Sequence, residues 1–305
     1  MVEAMNLNRY EIFLKVAEIG NITKTAEVLH YTQAGISHAI AALEREAGVP
    51  LLIRSSNGVA LTESGKRLLV PVQNLVNDQS ALAQTIYEIN KVIKGTLRIG
   101  TFTSVSTQWL PAVIRDFQAM YPQVEFDLVA GDYDDITERI RSGKIDCGFL
   151  TAPVREDLQF IPLCRDPMMV LLPPSHPLAK EQAIRLSELK KEPFILPMKG
   201  SDNDIMAVLN NAGFKAKVCY TLNDDFSVIA MVSGGFGITI MPELILKNLN
   251  AELAVRPLAP ERYRTIGIAS QPANRTAVLT RTFLEYLAER FNTDRAGTDL
   301  SPAGR

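Results

Sequence analysis

A run of eight residues between positions 68 and 93 limits the possible folds of this chain more than any other feature. Leu68, Val72, Leu75, Gln79, Leu82, Ile86, Ile89 and Ile93 follow one another at spacings of 4, 3, 4, 3, 4, 3 and 4. A stripe recurring about every 3.5 residues lies along one side of an α-helix and asks for a second helix to cover it. The seam therefore predicts a long helix and a homodimer formed through it. Gln79 is its one polar member, of the kind that fixes register. Pro71 removes one backbone hydrogen bond and predicts a bend near the start. Thr62-Glu63-Ser64-Gly65 caps the helix, and Lys94-Gly95 ends it.

Ahead of the seam the chain reads as short helices. Leu7 to Ile19 carries Leu7, Tyr10, Phe13, Val16 and Ala17 on one face, and Gly20 stops it. Asn21 or Thr23 caps a second helix through Leu29, and His30-Tyr31 makes a tight connection. A third helix runs from a Thr32 cap to Gly48, with Ile36, Ile40, Leu43 and Ala47 as its apolar stripe. Its other face holds Gln33, Ala34, Ser37, His38 and Ala41, with no acid between Tyr31 and Leu43. Such a small, neutral face can approach a polyanion closely, whereas a solvated face more often carries Glu and Lys. Next come Leu51-Leu52-Ile53-Arg54 and Val59-Ala60-Leu61 around an Asn57-Gly58 turn signal, which predicts a β-hairpin. Two helices, a turn, a reading helix and a hairpin wing make a winged helix-turn-helix.

Beyond Gly95 the period changes. Thr96–Gly100, Val124–Val129 and Ile145–Leu150 read as strands alternating with helices over Leu110–Met120 and Asp132–Arg141, the pattern of a parallel sheet. Further strands are expected at Met168–Leu172, Phe194–Leu196, Lys217–Tyr220, Gly237–Met241 and Thr265–Ala269. Helices are expected at Asp204–Ala212, Phe226–Ser233, Pro242–Asn248 and Thr276–Arg290. About 200 residues of this kind suffice for two α/β lobes. The polar stretch from Asn292 reads as a flexible tail.

Charge excludes a simple electrostatic magnet. Residues 1–94 hold nine basic and nine acidic side chains, and the rest of the chain 23 and 25. Attraction to DNA must therefore come from local distribution, and from Ala47 to Thr62 the only charged residue is Arg54. No apolar run approaches the roughly 20 residues of a membrane span, and Met1–Asn6 has no export-signal pattern, so a cytoplasmic protein is expected. Cys147, Cys164 and Cys219 lack metal-ligand or CxxC spacing. Cys147 falls in a core strand, and Cys164 and Cys219 show no paired spacing for redox sensing. No P-loop, GxSxG, HExxH or dinucleotide glycine motif follows a suitable strand, and His30, His38 and His176 lack triad partners, so neither a catalytic site nor a metal site nor a bound cofactor is expected.

From Asn6-Leu7 through Leu69 the chain resembles the DNA-binding region of LysR-type transcriptional regulators. The likeness is carried by Phe13, Val16, Ala17, Gly20, Ala26, Leu29, Gln33, Ile36, Ser37, Ile40, Leu43, Glu44, Gly48, Leu52, Arg54, Leu61, Thr62 and Gly65. Gly95–Gly100, Leu110-Pro111, Phe117, Tyr121-Pro122, Gly143–Asp146, His176–Leu178 and Gly234–Ile238 extend it to nearly the full length. The resemblance implies a winged helix-turn-helix DNA-binding domain over 1–65, a dimerising linker helix over 66–94, and an effector-binding domain over 95–291. That last domain would have the two-lobed fold of type 2 periplasmic binding proteins, with lobe I at 95–165 plus 267–291, lobe II at 166–266, and a tail at 292–305. It also implies a tetramer, a dimer of dimers, on promoter DNA, with RNA polymerase as a candidate further partner and a small-molecule effector.

By position, the resemblance assigns Thr23, Thr32, Gln33, Ala34, Ser37, His38, Arg54 and Asn57 to DNA. The chemistry agrees: Gln pairs bidentately with adenine, Ser donates or accepts, and an Ala methyl touches a thymine methyl. Thr32 at a helix start suits a phosphate. The family commonly has Arg where this chain has His38, and a basic residue where it has Asn57, which shifts the burden of affinity onto linked half-sites.

The same likeness places an effector in the cleft between the lobes. Thr103 and Ser104 follow the first strand at a helix start, a position suited to a carboxylate or other anion. Gly131 and Thr151 follow the next two strands. Met198, Gly200, Phe226 and Gly235 belong to loops of the second lobe. The rival readings are an exported solute-binding protein, which the DNA-reading module opposes, and an enzyme, for which no nucleophile and base are arranged.

Overall fold

The computed structural model describes residues 8–55, 58–89, 93–200, 202–249, 251–273 and 276–298. The chain divides into two compact units, residues 1–91 and, apart from the turn 142–144, residues 92–305.

In the first unit, α1 (Asn8–Ile19), α2 (Ile22–Leu29) and α3 (Gln33–Ala47) precede the hairpin of β1 (Leu52–Ser55) and β2 (Gly58–Leu61) and the long α4 (Glu63–Ile89). Local chemistry sets the boundaries. Asn21, not Thr23, caps α2, accepting the Lys24 N–H at 3.0 Å. His30 closes that helix in the left-handed region at φ 56°. Thr32 caps α3 through the Gly35 N–H at 3.0 Å, and Gly48 ends it at φ 69°. Phe13, Val16, Ile36 and Ile40 are fully buried where the helices meet, each side chain contributing about 1.5–3 kcal/mol. Ala47, expected in that stripe, is exposed.

The wing is joined to the helices by backbone. The Val59 N–H donates to the Gly20 carbonyl at 2.7 Å, and a Cβ on Gly58 would stand 2.5 Å from that same oxygen. Ser55 and Gly58, expected in the turn, pair with each other as the last rung of the ladder. Asn57 itself lies outside the described residues. Glu44 of α3 accepts the N–H groups of Leu51 (2.8 Å) and Leu52 (3.2 Å), anchoring the start of β1. Thr62 accepts the Gly65 N–H at 2.9 Å, and Gly65 is small because the Leu51 carbonyl sits where its Cβ would be.

The seam of α4 is divided. Leu68 and Val72 pack into the core of the first unit. Leu75 and Leu82 remain 41% and 57% exposed. The side chain of Ile89 lies outside the description. Ile93 lies beyond α4 and packs on the core of the second unit, which shortens the expected stripe.

The second unit has two lobes. In the first, β3 (Gly95–Thr101), α5 (Thr103–Gln108), α6 (Leu110–Met120), β4 (Val124–Ala130), α7 (Tyr133–Arg141) and β5 (Cys147–Thr151) form the expected alternation, with β3 parallel to both β4 and β5. Then β6 (Gln159–Leu172) runs 14 residues and passes between lobes. The second lobe adds β7 (Pro193–Pro197), α8 (Asn203–Asn211), β8 (Lys217–Leu222), α9 (Asp225–Ser233), β9 (Thr239–Pro242), α10 (Glu243–Leu246) and β10 (Ala254–Pro257). The chain returns through β11 (Tyr263–Ser270) to α11 (Val278–Thr298). The first lobe orders its strands β4-β3-β5-β11-β6, with β11 antiparallel to β5 and β6. The far half of β6 pairs with β9 and β10, and β7 pairs with β8 and bridges to Ile238.

Four stretches differ from expectation. Residues 103–108 form a helix of their own, α5, and residues 254–257, not read as strand, form β10. Residues 159–167, not read as strand, are the first half of β6. The chain from Asn292, read as a flexible tail, continues α11 to Thr298. Phe117, Phe149 and Phe283 fill one side of the first lobe's sheet, and Ile136, Ile140 and Ile145 the other.

Candidate functional site

The first unit presents one face of α3. Gln33, Ala34 and His38 are exposed and Ser37 half-buried, opposite the buried Ile36, Ile40 and Leu43. Two acids of this helix are held elsewhere. Glu44 binds the wing backbone, and Glu46 takes Arg9 at 3.0 Å and the Tyr10 hydroxyl at 3.0 Å. The face thus offers neutral polar groups without a nearby free carboxylate, which suits a groove lined by phosphates. Arg54 on β1 is exposed and has no protein partner among the described residues. Thr23 is exposed in the first turn of α2, and Thr32 keeps its hydroxyl proton while it caps α3.

The second unit holds a cavity of about 350 Å³ where β6 and β11 cross between the lobes. Its centre is Arg264. The guanidinium reaches Asp166 through Nε (2.9 Å) and Nη2 (2.8 Å), Asp204 (2.8 Å) and the Tyr133 hydroxyl (3.1 Å) through Nη1, and the Ser104 hydroxyl (2.7 Å) through Nη2. Tyr133 donates to Asp204 at 2.7 Å, Thr151 donates to Asp204 at 3.2 Å, and Asp166 accepts the Leu244 N–H at 2.8 Å. Tyr133, Thr151 and Ser104 belong to the first lobe and Asp204 to the second, so one buried network ties both.

Burial opposes the Arg264 charge, but Tyr133, Asp204 and Asp166 more than offset it and the group is held above its ordinary range. Burial pushes the Tyr133 phenol well up. Burial also raises the Asp166 and Asp225 carboxyls, with Arg264 acting against it on both.

Of the residues expected to meet an effector, Thr103, Ser104, Gly131 and Gly200 line the cavity. Thr151 supports it through Asp204. Met198 and Phe226 are exposed away from it, and Gly235 is not in its lining. The sequence reading missed Tyr133, Asp204, Asp225 and Arg264. It also favoured an anionic ligand, whereas among the described residues Arg264 is the only basic one in a lining that also holds Asp132, Asp204 and Asp225. Cys147 is buried, and burial pushes its thiol up. Cys164 and Cys219 are not joined in a disulfide.

A winged helix-turn-helix ahead of a two-lobed ligand-binding fold defines a class of DNA-binding regulators. Comparison with known proteins agrees. Residues 7–66 match the family "Bacterial regulatory helix-turn-helix protein, lysR family", and residues 90–292 match the "LysR substrate binding domain". The uncharacterized HTH-type transcriptional regulator YvbU of Bacillus subtilis is 31% identical over 95% of this chain and all of its own length. The transcriptional dual regulator GltC of the same organism is 32% identical over 94% and 98%. Among solved structures, a full-length cysteine-to-aspartate variant of OxyR from Pseudomonas aeruginosa has a TM-score of 0.74 at 22% identity, covering 95% of each chain. Full-length CbnR, solved with its target DNA, has 0.67 at 19%, covering 94% of this chain and all of the other. The chain belongs to the LysR family of DNA-binding transcriptional regulators with a substrate-binding effector domain. Among the described residues no helix is long and apolar enough to cross a membrane.

Proposed function

We propose that this regulator works in the cytoplasm as a homodimer joined through α4, and as a dimer of dimers on an interrupted palindrome upstream of a promoter. Gln33, Ala34, Ser37 and His38 read base edges, Thr23, Thr32, Arg54 and Asn57 meet the backbone, and RNA polymerase is the partner to which the signal passes. The observation that carries this reading is the α3 face, polar and free of acids because Glu44 and Glu46 are engaged behind it. The exposed Leu75 and Leu82 support pairing through α4.

A small molecule in the cavity at Thr103, Ser104, Gly131 and Gly200 biases the closure of the two lobes, and closure alters how paired DNA-binding units are spaced. The cavity serves binding and not turnover. Its buried hydroxyl at Ser104 faces a guanidinium, which cannot act as a base toward it.

A band shift on DNA upstream of the protein's own gene tests the reading. Retarded species of dimer and tetramer size on that DNA, but not on a shuffled duplex, are expected; equal retardation of both would overturn it.

A further inference from the structure

The charge of the cavity restricts what can enter it. A guanidinium has five N–H donors and no acceptor. All five of Arg264 are engaged, two by Asp166 and one each by Asp204, Tyr133 and Ser104. Its carboxylate partners are equally occupied. Asp204 takes Arg264, Tyr133 and Thr151, and Asp166 takes Arg264 twice and the Leu244 N–H. The network takes up every N–H of Arg264, so the one cation among the described residues of the lining offers no open donor to an incoming anion. It also sets two carboxylates against one cation.

The rest of the lining adds negative charge from both lobes. Asp225 opens α9 in the second lobe, and Asp132 precedes α7 in the first. Neither forms an ion pair among the described residues, though Asp225 takes a side-chain hydrogen bond from the Thr103 hydroxyl. Asp132 accepts the Asp135 N–H at 2.8 Å with one oxygen, and its other oxygen faces Gly200 across the cleft, 2.8 Å from where a Cβ there would stand. Met241, Ile245, Ile205 and Phe102 make the apolar part of the wall. An anion could reach Arg264 only by displacing Asp204 or Asp166, and anywhere in the cavity it would sit near Asp132 and Asp225. A cation meets Asp132, Asp204 and Asp225 in the lining, against a single guanidinium whose charge is already compensated by Asp166 and Asp204.

Resting on the reading of this cavity as the effector site, we propose that its ligand is a small organic cation. An ammonium, amidinium or guanidinium group sits between Asp225 of the second lobe and Asp132 of the first, and an apolar part lies against Met241 and Ile245. Bridging two like charges on opposite lobes, the cation favours their approach and so couples occupancy to closure.

The test is thermal melting of the full-length protein with methylguanidinium chloride, sodium acetate or N-methylacetamide at constant ionic strength. Wild type is compared with Asp225→Asn, Asp132→Asn and Thr103→Trp, the last an exposed position whose enlargement fills the cavity mouth. Methylguanidinium is expected to raise Tm by about 2 °C or more at a few times its dissociation constant, with acetate and N-methylacetamide inert. Each Asp→Asn variant is expected to lose at least half of that rise, and Thr103→Trp all of it. No rise with methylguanidinium, a larger rise with acetate, or a rise indifferent to both Asp→Asn changes would overturn the cation. A rise with acetate or N-methylacetamide that Thr103→Trp abolishes would overturn the charge assignment alone. A rise with any probe that persists in Thr103→Trp would overturn the cavity as the effector site.

Discussion

Replacing Arg264 with methionine, a side chain of similar reach without charge, would leave Asp166 and Asp204 buried with no cation beside them. Their side chains are 4% and 14% exposed, so water replaces little of what is lost. Breaking a buried pair by removing one partner costs about 3–5 kcal/mol. For a domain of this size each kcal/mol moves Tm by about 2–4 °C, so the effector unit of Arg264→Met should melt about 6–20 °C lower at pH 7. The loss depends on pH in a definite sense. Burial already raises the Asp166 carboxyl, and Arg264 is the first group opposing that rise. Removing Arg264 raises it further. An acid whose folded pKa exceeds its unfolded value, about 3.9, destabilises the fold above the folded pKa and ceases to do so as pH falls toward 3.9. The gap between variant and wild type should therefore narrow from pH 7 to pH 4.5, and Asp166→Asn with Asp204→Asn in the same chain should recover most of it at pH 7. Melts followed by near-ultraviolet circular dichroism at both pH values measure this. A gap of constant size, or no recovery in the triple variant, would refute charge compensation as the role of Arg264.

Three further outcomes are expected. Gly58→Ala should destabilise the DNA-binding unit by about 1–3 kcal/mol, because φ is +126° there and the new Cβ meets the Gly20 carbonyl at 2.5 Å; equilibrium unfolding and a weaker band shift would register it. Leu75→Glu with Leu82→Glu should yield a folded monomer by analytical ultracentrifugation, since both side chains are exposed within the protomer; an unchanged dimer would move the interface elsewhere. His38→Arg should tighten DNA binding and steepen its salt dependence by about one counterion per half-site, read from affinity against salt concentration; an unchanged slope would show that position 38 does not face the DNA.

The DNA-reading unit was legible in the sequence because its determinants are local. The Thr32 cap, the Gly48 stop and the Ile36–Ile40–Leu43 stripe all lie within one helix or one residue of its ends. The seam from Leu68 to Ile93 was legible as a period but not in its allocation, since nothing local tells that Val72 joins one core and Ile93 another. The cavity was the least legible part. Arg264 meets Ser104 from 160 residues away, Tyr133 from 131, Asp166 from 98 and Asp204 from 60. Asp204 and Asp225 sit in the first turns of helices, where an acid reads as an ordinary dipole-satisfying residue. Thr103 and Ser104 were found because the end of a strand before a helix marks the position, yet their charge environment is set by strands and helices far along the chain. The long β6 was half-hidden because Pro162, Arg165 and Asp166 interrupt its apolar pattern while it passes between lobes.

The most direct test is the salt dependence of binding to the promoter region of the protein's own gene, measured by fluorescence anisotropy for wild type, Gln33→Ala and Arg54→Ala. The expected result is tighter binding to that DNA than to a shuffled duplex by about a thousandfold or more. Gln33→Ala should lower that ratio by about 1–3 kcal/mol at one base position. Arg54→Ala should weaken both duplexes alike and reduce the salt slope. Equal affinity for the two duplexes, or a ratio untouched by Gln33→Ala, would contradict α3 as the element that reads DNA.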